Sequence, residues 1–293
     1  MIKRVNSRKK KTMKKFEGSL EYYLAGLLEG DGTIHVPKVE RSEKGLLTYP
    51  KIEIVFHLHD FPLALLIVQT LEFGRIHRIK GKNAYVLVFS TKEAVFTMVN
   101  LLNGKFRTPK INALHKLIKF LNLRHNLNIP LLPLDASPLC SNSWLSGFAE
   151  ADSCFYVRAT ISNKRIATNF SIEQKRFDKS KDSCYDFMKR IADFFQVPLT
   201  IRKSKGSLLL RATSFKSTTL IQEYFKKYPL FGVKYLNYLD YEKVFELIKT
   251  KDSLSKEEFF DICKKIKSEM NDRRSSFSFD HLQYFYKKST TEN

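Results

Sequence analysis

The feature that most constrains this chain is a short pattern that occurs twice. Residues 24–32 read LAGLLEGDG, and residues 144–153 read WLSGFAEADS. Both stretches have the apolar spacing of a helix, and both reach an aspartate at its end, Asp31 or Asp152. An acid is unfavourable there, because a helix C-terminus already carries about half a negative charge. The fold must therefore compensate the negative charge at these two helix ends.

Small residues recur four positions apart in each pattern, which places them on one face of each helix. They are Gly26 and Gly30 in the first pattern and Gly147 and Ala151 in the second. Small side chains allow two helix backbones to approach closely. We therefore expect the two helices to pack against each other in the same direction. The large apolar residues, such as Trp144, are then expected to point into the core of their own half.

This packing would bring two aspartates and two negative helix ends to one place, which requires a cation. Carboxylates and backbone carbonyls form an all-oxygen ligand set, which suits Mg²⁺ better than zinc. Beside a nucleic acid, such an ion indicates phosphodiester hydrolysis, because it activates water and stabilises the attacking and leaving oxygens. A single short match would favour ordinary surface acids at a helix end. Two matches with similar surroundings favour the metal site.

The segments that follow each pattern are similar in order. In the first half, residues 50–59 alternate between apolar and polar, residues 60–73 have helical spacing, and residues 75–90 are typical of a hairpin. The second half repeats this order and ends in further helical stretches. The sequence therefore predicts two αββαββα halves, that is, an α+β fold with pseudo-symmetric halves. Their motif helices would pack at the interface, and two antiparallel sheets would form a DNA-binding saddle.

The division of the chain follows from the same order. Residues 1–15 form a basic N-terminal arm, and residues 16–127 form the first half. Residues 128–142 contain three prolines without a clear period, which is typical of an extended linker. Residues 143–293 form the second half. The arm lacks an apolar core segment and so is no secretory signal; a phosphate-binding arm, an organellar targeting stretch and a solvated remnant stay open.

The charge of the chain indicates its partner. Lys and Arg number 51 against 30 Asp and Glu, which gives a net charge of +21. An excess of this size favours a polyanion, either nucleic acid or an anionic membrane surface. No apolar run approaches the ~20 residues of a membrane span, so nucleic acid is the better partner. The four cysteines show no CxxC spacing, which argues against a zinc site of that type.

The predicted strands carry a polar, basic face that fits DNA, since a two-stranded ribbon enters the major groove. An ordinary solvated sheet face is the alternative. His57 and His59 share a strand face, and metal binding there is weighed against a polar or DNA-facing surface, which is favoured. The DNA-binding candidates are Lys51, His57, Arg75, His77, Lys80, Lys82, Arg158, Lys164, Arg165, Arg202, Lys203, Lys205 and Arg211.

The two patterns resemble the paired signatures of LAGLIDADG homing endonucleases in their monomeric, two-motif form. The resemblance covers residues 16–285. It includes LNGKFRTPKINALHKLI at 102–118 and YPLFGVKYLNYLDY at 228–241, which are similar to segments of the fungal mitochondrial members of the family. The ninth motif position is normally glycine, and Ser153 departs from that pattern.

The resemblance also implies roles for particular residues. It makes Asp31 and Asp152 the metal-binding acids, and it makes the residues before them, Gly30 and Ala151, donors of backbone carbonyls. It further implies catalytic roles for Lys110 and Lys234 beside the scissile phosphates, and for Gln174 in ordering water. The counterpart of Gln174 in the first half is expected to be Asp60 or His59.

The function implied is a site-specific DNA endonuclease for intron homing, which acts as a monomer on a loosely palindromic duplex of roughly two helical turns. Mg²⁺ is the implied cofactor; Mn²⁺ would substitute for it, and Ca²⁺ would bind without supporting cleavage. The alternatives are an RNA maturase that binds intron RNA, and an inactive DNA-binding module. The resemblance and the A/T-rich codon bias of the composition predict a mitochondrial location, and no membrane partner is expected.

Overall fold

The computed structural model describes residues 19–39, 41–250 and 254–286, so the predicted arm at 1–15 lies outside the described residues. The elements of the first half, in order, are α1 (Leu20–Asp31), β1 (Gly32–His35), β2 (Lys51–His57), α2 (Phe61–Leu71), β3 (Arg75–Arg78), β4 (Ala84–Phe89), α3 (Lys92–Leu102) and α4 (Ile111–His125). The elements of the second half are α5 (Trp144–Asp152), β5 (Ser153–Thr160), β6 (Arg165–Lys175), α6 (Tyr185–Phe194), β7 (Leu199–Arg202), β8 (Ser207–Ala212), α7 (Phe215–Lys227), α8 (Val233–Lys249) and α9 (Lys256–Ser268).

The two sheets are built alike. Their strand orders are β1-β2-β4-β3 and β5-β6-β8-β7, and all pairs are antiparallel. The register also matches, since Gly32 pairs with Ile54 in one sheet and Ser153 pairs with Ile172 in the other. The predicted α+β fold of two repeated halves is confirmed.

Each sheet has one buried face, as the alternating pattern predicts. On β2, Ile52, Ile54 and Phe56 are buried, and on β6 Phe170 and Ile172 are buried at matching positions. Burying a side chain of this kind contributes roughly 1.5–3 kcal/mol. A slip of one residue would expose the whole set, so this burial fixes the register and keeps the other face of each sheet toward solvent.

The helices α1 and α5 pack directly against each other through their glycines. A Cβ built on Gly26 would lie 2.0 Å from the carbonyl oxygen of Trp144, and one built on Gly147 would lie 1.9 Å from that of Tyr23. No larger residue fits between the two backbones at these positions. The contact sets the C-terminal ends of both helices side by side, as the spacing of the small residues predicts.

The expectation that Trp144 points into its own half is wrong. Its indole N–H donates to the Glu29 carboxylate, with 2.6 Å between Nε1 and Oε2, and the Arg107 guanidinium lies over its ring. Both partners belong to the first half. A buried indole N–H needs an acceptor, and the first half supplies it. Tyr23 crosses in the opposite direction and donates its hydroxyl proton to Glu150 at 3.2 Å.

The segment between the halves runs without helix or strand apart from a 3-10 turn at Leu139–Ser141. The buried Arg107 guanidinium donates to Asp135 and to the Ser137 hydroxyl, the latter at 2.8 Å. These hydrogen bonds from Arg107 attach the segment to the first half, so the connection between the halves is anchored.

The residues after α9 return to the interface between the halves. A ring nitrogen of His281 lies 2.9 Å from the carbonyl oxygen of Phe231, which is beside the start of α8. The Phe277 ring lies 4.2 Å, centroid to centroid, from the ring of His59 in the first half. This segment therefore contacts both halves. Among the described residues, no helix is both long and apolar enough to span a membrane.

Candidate active site at the paired helix ends

The two aspartates end α1 and α5 at the same end of the helix interface. A Cβ built on Gly30 would lie 2.2 Å from the Cβ of Ala151 and 2.9 Å from Oδ2 of Asp152. The close approach of the helices thus continues to their last residues, so Asp31 lies beside Asp152. Oδ2 of Asp152 is buried and has no hydrogen-bond partner among the described residues.

Both carboxyl groups have a raised pKa. Desolvation raises the pKa of Asp152 to about 6, and repulsion from Asp31 adds to the shift. Desolvation at the narrow interface also raises the pKa of Asp31, although part of that side chain stays exposed to solvent. Lys110 and Lys234 lower both pKa values without cancelling the shifts. Two desolvated carboxyls with an unpartnered oxygen form a site that a cation would stabilise.

The two predicted catalytic lysines lie against these helix ends. Lys110 Nζ donates to three carbonyl oxygens at the end of α1, those of Leu28 (2.9 Å), Gly30 (3.4 Å) and Gly32 (2.8 Å). Lys234 Nζ donates to the carbonyl oxygen of Ala151 at 3.0 Å. Each lysine thus satisfies carbonyls that a helix end leaves free and opposes the negative end of the dipole. Burial lowers the pKa of both lysines.

Gln174 lies beside Asp152, and its side chain lowers the pKa of that carboxyl. The expected counterpart in the first half, Asp60 or His59, does not match it in the sheet. The register places Phe56 at the equivalent position, since Gln174 pairs with Leu208 as Phe56 pairs with Tyr85. The strand β2 ends at His57, and Asp60, which follows it, is close enough to Asp31 to raise the pKa of that carboxyl.

The side chains that would hold an ion are few. Within residues 19–39, 41–250 and 254–286, no three His, Cys, Asp or Glu side chains form a group that could bind a metal. The candidate ligand set is therefore the two carboxylates of Asp31 and Asp152 with the carbonyls of Gly30 and Ala151. The unpartnered Asp152 oxygen and the all-oxygen donor set fit a hard divalent ion.

Glu29, to which the motif pattern assigns no role, lies in the interior of the protein. Its carboxylate accepts hydrogen bonds from the backbone N–H groups of Arg107 (2.9 Å) and Thr108 (2.6 Å), the Thr108 hydroxyl (2.6 Å) and the Trp144 indole (2.6 Å). Burial raises the pKa of Glu29 to about 7 against the lowering effect of these donors. Glu29 thereby holds the loop that carries Lys110.

Glu150 holds the loop that carries Lys234 in the second half. It accepts hydrogen bonds from the Phe231 N–H at 2.8 Å and from the Tyr23 hydroxyl at 3.2 Å, and a hydrogen bond from the Gly232 N–H lowers its pKa. Burial nonetheless raises that pKa to about 7. The sequence signal was present, because each motif has a second acid two residues before its aspartate.

All thirteen DNA-binding candidates lie on the solvent face of a sheet or in its turns. The register places eight of them on the solvent faces of the strands: Lys51, His57, Arg75, His77, Arg158, Arg165, Arg202 and Arg211. The remaining five lie in the turns that join paired strands: Lys80, Lys82, Lys164, Lys203 and Lys205. The sheets therefore present basic side chains on one continuous face each, and their role in DNA binding stays a prediction.

Three of these cations already have acidic partners in the protein. Lys51 Nζ lies 2.6 Å from Glu53, Arg202 donates to Glu173 at 3.0 Å, and Lys164 pairs with Glu257 of α9. Exposed pairs of this kind contribute only ~0–1 kcal/mol, so a phosphate could compete for these cations.

The two histidines considered as metal ligands contact each other as rings. The centroids of His57 and His59 are 5.0 Å apart at an interplanar angle of 76°. The Nδ1 atom of His57 accepts from the His59 N–H at 3.4 Å. His57 thus caps the turn that follows β2. With no third side chain in place among the described residues, the metal interpretation gains no support.

Comparisons with known proteins agree with this geometry. The family described as LAGLIDADG endonuclease matches residues 24–121 and 145–245, so each half is matched once. The chain therefore belongs to the LAGLIDADG endonuclease family. This confirms the resemblance on which the site residues were predicted.

Similar proteins occur in fungi. The chain is 29% identical to the intron-encoded DNA endonuclease aI3 of Saccharomyces cerevisiae, over 90% of this chain and 72% of that protein. It is 28% identical to an uncharacterised cox1 intron-2 protein of Schizosaccharomyces pombe, over 80% of this chain and 68% of that protein.

Solved structures share the fold. The LAGLIDADG homing endonuclease I-GzeII in complex with its DNA target aligns with a TM-score of 0.67 at 19% identity, over 87% of this chain and 99% of that one. The meganuclease I-AabMI bound to uncleaved DNA also aligns with a TM-score of 0.67, at 23% identity, over 86% of this chain and 99% of that one.

Proposed function

We propose that this protein is a site-specific homing endonuclease that makes a double-strand break by metal-dependent hydrolysis. The observation that carries the proposal is the paired helix end. Asp31 and Asp152, whose pKa values are raised by desolvation, lie together there, one with an unpartnered oxygen, and a half-buried lysine flanks each helix end. A purely structural interface would have no reason to retain this repulsion.

The chain's own residues would act at this site as follows. Asp31 and Asp152, with the carbonyls of Gly30 and Ala151, would hold a divalent ion between the halves. Bound there, Mg²⁺ would supply Lewis-acid stabilisation of the phosphate oxygens and a water of lowered pKa. Lys110 and Lys234 would then stabilise charge that develops on the two phosphates.

The two halves supply two pseudo-symmetric centres, which suits cleavage of both strands by one chain. The exposed sheet faces would follow DNA of roughly two turns, at ~10 bp per turn. The side chains of the two faces differ, so the target would be only loosely palindromic. A cleavage selection on randomised DNA in Mg²⁺ tests the proposal; failure to enrich any sequence would contradict it.

Intron RNA binding stays an alternative use of the same basic faces. A maturase would stimulate splicing and would not need the aspartate pair. The inactive DNA-binding module fits less well, because both aspartates and both lysines lie at the site. The relatives named as intron-encoded support an organellar, and specifically mitochondrial, origin. Splicing of a bound intron without DNA cleavage would favour the maturase.

Cleavage is expected to require Mg²⁺ or Mn²⁺, whereas Ca²⁺ is expected to support target binding alone. The candidate ligands are all oxygens, which Ca²⁺ also accepts, but Ca²⁺ activates water less well. The measurement is plasmid cleavage and target affinity in each ion, with EDTA as the control. Cleavage at the full rate in EDTA would contradict the metal site.

Target affinity is expected to fall steeply with salt. The net charge is +21, and the basic side chains lie on the exposed sheet faces. Neutralising several phosphates releases counterions and gives a slope of about −0.9 in log K against log salt for each contact. The measurement is a binding titration between 50 and about 200 mM salt. A flat response would place the binding energy outside these faces.

A further inference from the structure

The loops that carry the two lysines differ in one respect. Glu29 binds the N–H groups of Arg107 and Thr108, and Glu150 binds those of Phe231 and Gly232. The catalytic lysine lies two residues after Thr108 in the first half and two residues after Gly232 in the second. The residue just before the lysine is therefore Pro109 in the first half and Val233 in the second.

A proline has no N–H, so the first loop leaves no donor at this position. Val233 does have an N–H, and the acceptor comes from the other half. Oδ1 of Asp60 lies 2.6 Å from the Val233 nitrogen. A desolvated N–H without an acceptor would cost ~1–3 kcal/mol, so this hydrogen bond stabilises the position of the loop.

Asp60 also fills the volume that a side chain occupies in the first loop. In the first half, the Thr108 hydroxyl donates to Glu29 at 2.6 Å and accepts from the Lys110 N–H at 3.3 Å. In the second half, glycine stands at that position. A Cβ built on Gly232 would lie 2.6 Å from Oε1 of Glu150 and 2.7 Å from Oδ1 of Asp60, so the glycine leaves room for both carboxylates.

We propose that Asp60 is a positioning residue that holds the Lys234 loop across the interface between the halves, where the first half holds Lys110 with its own Thr108 and Pro109. The inference rests on the proposed endonuclease function. Asp60 acts through the Val233 N–H and needs no contact with DNA. Its loss should displace Lys234 and leave Lys110 in place, and so impair the two centres unequally.

The test is strand-resolved cleavage of a supercoiled plasmid that carries the target. We expect Asp60→Ala to slow one strand by about 10- to 100-fold and to accumulate nicked circles, because a small misplacement of a catalytic group costs this much. Asp60→Asn keeps an acceptor oxygen and should retain most of the parent rate. Asp186→Ala, at an exposed carboxylate on α6, is the control.

Val233→Pro provides an independent test. Val233 is the first residue of α8, where proline is well tolerated, and Gly232 before it is extended (φ −84°, ψ −168°). This change removes the N–H that donates a hydrogen bond to Asp60. The double variant Asp60→Ala with Val233→Pro should therefore recover much of the rate lost in Asp60→Ala. Recovery by removing the donor distinguishes a positioning role from a general loss of stability.

Amide exchange of Val233 gives a readout that does not depend on cleavage. In Asp60→Ala the exchange of the Val233 N–H should accelerate by at least about tenfold. The Phe231 N–H, which Glu150 binds, serves as the internal reference. Unchanged exchange would overturn the inference even in a protein that cleaves nothing.

The cleavage outcomes separate the two proposals. If the parent cleaves no DNA, the proposed function fails, and exchange still decides the role of Asp60. If the parent cleaves and Asp60→Ala cuts both strands at the parent rate, the inference is overturned. Equal loss in Asp60→Ala and Asp60→Asn would also overturn it, because the carboxylate charge would then be what matters.

Discussion

A variant with both Asp31→Asn and Asp152→Asn is expected to lose DNA cleavage by about 10³-fold or more, to keep its target affinity, and to melt at an equal or higher temperature without metal. The substitutions keep the shape of the side chains and remove two charges from a desolvated interface. Repulsion raises the pKa of Asp152 in addition to desolvation. By analogy with stored backbone strain, the strain relieved is on the order of 1–3 kcal/mol.

The remaining charges at the site support this expected gain. Lys110 and Lys234 are attracted by Glu29 and Glu150 as well as by the aspartates. Asp60 adds a further carboxylate near Lys234. The double variant therefore still has three acids around the two half-buried lysines, so neither cation is left without compensation.

The gain in melting temperature of the double variant over the parent should depend on pH in a defined direction. The pKa of Asp152 in the folded state is about 6, against an ordinary value of 3.8, so protonation stabilises the folded parent. The metal-free parent then loses stability as pH rises through this range, and the variant lacks this contribution, while the contributions of Glu29 and Glu150, whose pKa values are about 7, remain in both proteins. The difference in melting temperature should be absent below pH 3.8 and complete above about 6.

The measurements are a thermal melt in EDTA over this pH range and a binding assay in Ca²⁺. The control is Glu223→Gln with Asp261→Asn, which removes two exposed carboxylates. It should leave cleavage unchanged. A marked fall in the melting temperature of the aspartate variant would mean that the acids hold the interface together, and the metal-site interpretation would lose its main support.

The sequence was sufficient for the fold because the same signals appear twice. Alternation on β2 and the paired glycines of the motif helices each dictate a local packing that allows few alternatives. The position of Trp144 was not predictable in this way, because a motif pattern does not show which half supplies the acceptor for a buried indole N–H. That choice depends on Glu29, whose burial becomes visible only when the halves are assembled.

The site was predictable as far as motif positions extend. Asp31, Asp152, Lys110 and Lys234 all lie at the paired helix ends. The sheet register places Phe56 at the position equivalent to Gln174, whereas Asp60 and His59 follow the end of β2, so the motif pattern alone did not indicate the register position. The contact between Asp60 and Val233 joins residues 173 positions apart and has no equivalent in the other half. Neither periodicity nor the repeat could therefore indicate it.

Lys234→Met is expected to slow cleavage by about 10²–10³-fold and to change target affinity little, since a cation beside the phosphate acts on charge that develops in the transition state. Methionine keeps most of the length of the side chain and removes the charge. Lys234 Nζ already lies 3.0 Å from the Ala151 carbonyl oxygen, so the lysine is held at the helix end before DNA binds. Such preorganisation is what makes a fixed charge effective.

The matched variant is Lys110→Met, whose lysine is held at the end of α1 in the other half. Because the pseudo-symmetry assigns one lysine to each centre, each single variant should accumulate nicked DNA, in opposite strands. Lys243→Met changes an exposed lysine on the same helix as Lys234 and should cleave normally. Single-turnover rates of each strand and affinities in Ca²⁺ separate the effects. If Lys234→Met mainly raised Kd, the lysine would be an ordinary phosphate contact and not part of the cleavage machinery.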